Sequence, residues 1–134
     1  MRRVVDWPER LLSTVAFWDA LPFAWGRTDC LGFALACIKA VRGSPIVSDL
    51  PAYADAKEAR RVLRDLGARE LENAFMMYLD PVPVSLAQRG DVGILVQPGG
   101  IQSAVVCVGP TWAGKTEDGL VHIAPAQVSR AFRV

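Results

Sequence analysis

A chain of 134 residues, 51% apolar and 22% charged, is expected to form one soluble domain over residues 1–134, with a core that needs no disulfide or metal staple. Its net charge is +1 and its arginines are scattered rather than interleaved with aromatics in a basic stripe, so nucleic acid is not an expected partner. No apolar run approaches the roughly 18 residues of a membrane span, which argues against membrane insertion.

In chain order, Asp6, Pro8 and Glu9 read as a helix start, with a capping carboxylate and a proline in the first turn. Leu11, Leu12, Val15, Trp18 and Leu21 follow at helical spacing until Pro22. A loop over Phe23 to Thr28 leads to a second helix, capped by Thr28 or Asp29 and closed by Gly43. Its apolar face carries Cys30, Phe33, Ala34, Cys37, Ile38 and Val41. Ser44 to Tyr53 reads as a connection, and Asp55 opens a third helix that Gly67 stops. Arg69 to Tyr78 is expected to be a short fourth helix, ended by Pro81 and Pro83.

From Gly90 onward the apolar period becomes that of strands: Val92 to Gln97, Ile101 to Val108, Thr111 to Ala113, Leu120 to Ala124 and Ser129 to Val134. Helices followed by an antiparallel meander predict an α+β fold, with the helices gathered on one face of a sheet of four to five strands.

The eight residues from Met1 to Pro8 are too few and too polar for a signal-peptide core. The product is expected to be made and kept in the cytoplasm unless it leaves inside a larger assembly. Three cysteines with no CxxC spacing point away from a disulfide framework and from zinc, and neither metal nor cofactor is expected.

Cys30 opens the second helix. Unpaired backbone N–H groups and the positive end of the helix dipole lower the pKa of a thiol there, which is how a nucleophile is made. Asp29 acts in the opposite direction unless its carboxylate turns into the cap. Nucleophilic catalysis also needs a base within hydrogen-bond reach, a group that orients the base, and oxyanion donors. The expected sheet supplies Ser103, which is no strong base, and His122, the sole histidine. His122, between Val121 and Ile123, reads either as a satisfied strand residue or as the base for Cys30. Gln102 and Ser103 read as edge or pocket-lining groups, or as hydrogen-bond partners of Cys30 in a site that binds but hydrolyses poorly. Cys37 and Cys107 read as core residues, and Trp25 and Trp112 as core with cleft lining the alternative. Arg60, Arg61 and Arg64 form either a solvated helix face or a docking surface.

These motifs resemble the NlpC-type cysteine peptidases, papain-like hydrolases that cut peptidoglycan stem peptides. Trp25-Gly26 precedes Asp29-Cys30-Leu31-Gly32-Phe33, as an aromatic-Gly pair precedes an Asp-Cys-Ser-Gly-Phe-like helix start in that family. Arg89-Gly90-Asp91-Val92 is similar to its Gly-Asp strand, and Ser103 to Gly109 to its His-Val-Gly-Ile-Tyr-like strand. Val121-His122-Ile123-Ala124 matches the strand of its third polar group. The resemblance covers 23–42 and 88–125. It departs at the base, where Ser103 with Gln102 beside it stands for histidine, and at Leu31, where serine is usual.

The chain also resembles a small family of phage and prophage tail-tip proteins sharing the Trp-Gly-x-x-Asp-Cys start and the Arg-Gly-Asp-Val strand. Asp118-Gly119-Leu120 and the closing Ala131-Phe132-Arg133-Val134 fit that likeness.

The resemblance implies a structural or assembly component of a phage-like tail tip or baseplate, on a degenerate cysteine-peptidase fold. Its partners would be other tail-tip and hub proteins, and its location the virion tail after synthesis in the host cytoplasm. Cys30 would hold the nucleophile position, Ser103 or Gln102 the base position, and His122 the third-group position. The alternative is an active hydrolase of peptidoglycan stem peptides with Cys30 as nucleophile and His122 as base. A third reading is a peptide- or glycan-binding module using the same cleft.

Overall fold

The computed structural model describes residues 2–47 and 50–134. The connection expected over residues 44–53 includes Ser48 and Asp49, which with Met1 lie outside the described residues. Among the described residues four α-helices come first: α1 (Trp7–Asp19), α2 (Cys30–Arg42), α3 (Ala56–Asp65) and α4 (Leu71–Met76). Six strands follow: β1 (Asp80–Val82), β2 (Val92–Val96), β3 (Gln102–Cys107), β4 (Trp112–Thr116), β5 (Gly119–Ile123) and β6 (Arg130–Arg133). They form one sheet in the order β1-β6-β2-β3-β4-β5, antiparallel at every pairing. The fold is α+β.

α2 is the central helix because both of its ends are locally encoded and its apolar face is continuous. Asp29 Oδ1 accepts from Gly32 N at 2.9 Å, which makes Asp29 the N-cap. Thr28, the other candidate, instead donates its hydroxyl to Pro22 O. Gly43 closes the helix at φ 83°, a left-handed conformation that glycine takes without steric cost, and its N–H bonds Lys39 O at 2.7 Å. Phe33, Ala34, Cys37, Ile38 and Val41 are wholly buried, and each large apolar side chain so buried contributes about 1.5–3 kcal/mol.

The pleat sorts the sheet into two faces. Val92, Ile94, Ala104, Val106, Ala113 and Phe132 pack against the helices. Val82, Val105, Cys107, Trp112, Val128 and Ala131 form a second core on the other face. That face lies near single turns of 3-10 helix at Val84–Leu86 and Pro125–Gln127, with Val84 packed against the cluster. Trp112 and Cys107 are therefore core residues, as is Cys37.

The observed fold departs from expectation in four places. β4 runs on through Gly114 and Lys115 to Thr116, where the strand was expected to end at Ala113 and a polar turn to follow. The sheet has six strands, because Asp80–Val82 pairs with β6 where Pro81 read as part of a helix stop. A proline is tolerated there because β1 is an edge strand whose outer side needs no N–H donor. α4 is correspondingly shorter, six residues rather than the span from Arg69 to Tyr78. Asp6 precedes α1, but its carboxylate accepts from Arg10 Nε at 3.1 Å instead of capping a backbone amide.

Two long-range polar clusters hold these layers in register. Asp91, fully buried at the head of β2, accepts from Arg3 Nη2 (2.8 Å), Gln88 N (2.8 Å) and Val134 N (2.9 Å). Arg89-Gly90-Asp91 thus serves as a strand-leading anchor. Lys115, also buried, donates from Nζ to the carbonyls of Trp18 and Leu21, tying the end of α1 to β4.

Candidate functional site

The start of α2 opens on a cavity of about 670 Å³, within the range of small-ligand pockets. Trp25, Cys30, Tyr53, Arg60, Gln102 and Ser103 contribute to its wall. Glycines shape the approach. Gly26 has φ 78°, and a Cβ there would collide with the carbonyl of Tyr53. A Cβ at Gly32 would meet Arg27 O at 2.6 Å. The Trp-Gly and Cys-Leu-Gly spacings therefore let one loop cross another closely enough to bring Tyr53 over the helix start.

Asp29 sits at the centre of this crossing and is only 2% exposed. Its Oδ2 accepts from Gly26 N at 3.1 Å while its Oδ1 caps α2, so both oxygens serve the backbone. The Tyr53 hydroxyl lies against the same carboxylate. Burial first, and then the neighbouring Asp29 charge, push the phenol well above its ordinary range, so it remains protonated at neutral pH.

The Cys30 thiol is also pushed up from its ordinary value of 9.0. Desolvation is the largest cause, and the Asp29 carboxylate adds to it. The N–H groups of Ala104, Leu31 and Cys30 itself act the other way without prevailing. A helix N-terminus alone would favour thiolate; here burial and a buried carboxylate win. Cys37 has no such donors, and burial raises it to about 12.

Strand pleating decides what else reaches the sulfur. Ala104 pairs with Ile94 on the helix-facing side of β3, and its N–H points at Cys30. Ser103 pairs with Leu95, on the opposite face, and its Oγ lies 2.6 Å from Gln97 Nε2 as the acceptor. Since adjacent strand residues point to opposite faces, the Ser103 hydroxyl is turned to the face opposite Ala104, and what β3 gives the thiol is the Ala104 N–H. Gln102 shares the Ala104 face but is engaged with α4: its Oε1 accepts from Glu72 N (3.0 Å) and its Nε2 donates to Glu72 Oε1 (3.1 Å).

His122 lies elsewhere. It pairs with Ala113 at the outer edge of the sheet, two strands across from β3, and does not line the cavity. Its Nδ1 is 3.0 Å from Thr111 Oγ1, an exposed contact. The fold thus brings Cys30, Gln102 and Ser103 to one cavity, with Ser103 turned to the far face, and leaves His122 outside it. Tyr53, Ala104 and the double role of Asp29 escaped the sequence-level reading. Tyr53 follows Pro51 in an aperiodic connection, where no spacing signals its neighbours.

What the site can do chemically follows from these contacts. It holds a protonated thiol and a protonated phenol beside a carboxylate committed to backbone amides, in a space large enough for a ligand. Among the described residues, the groups that act on the Cys30 thiol are backbone amides and the Asp29 carboxylate, which is already engaged by two amides.

A search of curated proteins finds no match to this chain. A family sequence model, described as a domain of unknown function (DUF6950), matches residues 2–134. That match spans all but the first residue, and the chain belongs to the DUF6950 family.

Proposed function

We propose that this protein is a structural or assembly component of a phage-like tail tip or baseplate, built on a papain-like, NlpC-type scaffold whose cysteine site does not hydrolyse. The observation that carries this reading is the environment of Cys30, a desolvated thiol faced by the Ala104 amide and the Asp29 carboxylate, with the sole imidazole held by Thr111 outside the cavity. A hydrolase needs a base within hydrogen-bond reach of its nucleophile. A scaffold needs only the fold, and the buried anchors at Asp29, Asp91 and Lys115 serve folding whether or not a bond is cut.

Its partners on this reading are other tail-tip and hub proteins, and its location is the particle. Peptide mass spectrometry of purified tail-like particles tests it. The chain is expected in fixed ratio to the tip proteins, and Cys30→Ala is expected to assemble equally well. Absence from the particles would overturn the proposal. So would release of soluble stem-peptide fragments from peptidoglycan by the purified chain, if Cys30→Ala abolished that release.

A further inference from the structure

The sheet ends in two edges of different character. At one end, β1 is three residues long and carries Pro81 and Asp80, two devices that blunt an edge against further pairing. At the other, β5 reads Gly119-Leu120-Val121-His122-Ile123, five residues without proline, lysine, arginine or carboxylate. Val121 is 43% exposed.

The hydrogen-bond phase of the meander fixes which β5 groups are open. Val108 N bonds Thr111 O at 3.0 Å, so the backbone of Thr111, and of every second residue after it, faces β3. Trp112, Gly114 and Thr116 then face β5, where their register partners are Ile123, Val121 and Gly119. Leu120 and His122 are left with N–H and C=O directed away from the sheet. Among the described residues, no turn, loop or cap hydrogen bond reaches those groups.

The geometry points to β5 as a self-pairing edge, at which two copies join antiparallel about a two-fold axis through Val121 and extend the sheet from six strands to about twelve. In that register Leu120 of one copy exchanges both backbone hydrogen bonds with His122 of the other, and the symmetry repeats the exchange. Val121 meets Val121 in the close, non-hydrogen-bonded position. Gly119 lies opposite Ile123, and Asp118 opposite Ala124, so no like charges meet. Pro125 ends the pairing because it has no N–H to donate. The contact is self-complementary and closes after two copies, as a two-fold interface must. Five-residue strands bury less than the roughly 1,200–2,000 Å² of a stable interface, so a weak, concentration-dependent dimer is expected. The inference rests on backbone phase and edge composition, and it stands whether or not the Cys30 site is inert.

Light scattering on the size-separated full chain, from micromolar to about millimolar concentration, tests it. The apparent mass is expected to double across the series. Val121→Lys, which sets like charges opposite one another, and His122→Pro, which removes an outward N–H without touching the β4 ladder, are each expected to restore the monomer mass. Circular dichroism checks that both variants fold. Val121→Cys is expected to cross-link to itself under mild oxidation, with the bond mapped to position 121, while Leu120→Cys, offset across the axis, is not. A wild-type chain that stays monomeric throughout, leaving the edge to a strand of some other protein, overturns the proposal. So does a dimer indifferent to both edge variants.

Discussion

His122 Nδ1 stands 3.0 Å from the hydroxyl of Thr111, across the β4–β5 edge. This contact occupies the only imidazole in the chain at a point from which it does not line the Cys30 cavity. Both residues lie toward the surface, and such a pair contributes little to folding. Thr111→Val is expected to change stability by no more than about 0.5 kcal/mol in urea unfolding. A larger loss would mean that the contact organises more of the edge than its exposure indicates.

Asp29 is expected to matter far more than Cys30 to folding. Asp29→Ala leaves the N–H groups of Gly26 and Gly32 without their acceptors in a buried setting, at a cost of ~2–4 kcal/mol. Asp29→Asn keeps one acceptor oxygen but turns an amide donor toward an N–H, so an intermediate loss is expected. Cys30→Ala should fall well below both. Denaturant midpoints of the three variants check the order.

Asp91→Ala is expected to be the most damaging single change among the polar residues. It removes the counter-charge of Arg3, which keeps only the carbonyls of Val134 and Arg89, and strands the amides of Gln88 and Val134 at once. Breaking a buried ion pair by removing one partner costs about 3–5 kcal/mol. Arg3→Met should cost less, because Asp91 keeps its two amide donors. Thermal unfolding of both variants against wild type measures the difference.

Stability is expected to fall in alkali through the buried acids. Cys37 ionises near 9.0 when unfolded and is raised to about 12 in the fold. Below pH 9 both states hold the proton and the group contributes no pH dependence. Between about pH 9 and 12 only the unfolded state releases it, and stability declines with pH. Cys30, Cys107 and Tyr53 are raised in the same direction. Unfolding free energy measured from pH 8 upward should drop across that window, and Cys37→Ala should make the drop shallower.

How much of this was legible in the sequence depended on the range of the determinant. α2 was readable from end to end because Asp29 and Gly43 act on backbone groups within a turn or so. β2, β3, β5 and β6 were readable in alternation, whereas β4 continues to Thr116 through Gly114 and Lys115, whose residue types read as a turn. The face each residue presents near the site was not, since one residue of register separates Ser103 from Ala104 and sends them to opposite sides. β1 was missed because Pro81 carries the same local signal at a helix stop and on an edge strand. Lys115 and Tyr53 were missed because their partners, Trp18, Leu21 and Asp29, are distant in sequence and meet only in the fold.

The state of the Cys30 sulfur is the centre of the account, and the pH dependence of its alkylation by iodoacetamide, read peptide by peptide with Cys37 and Cys107 as internal references, tests it most directly. A neutral, desolvated thiol predicts labelling slower than a free cysteine at pH 7, still climbing where a free cysteine has levelled off, and unchanged in His122→Ala. Fast labelling that persists below pH 7 and is slowed by His122→Ala would mean a thiolate held by imidazolium, and would contradict the account.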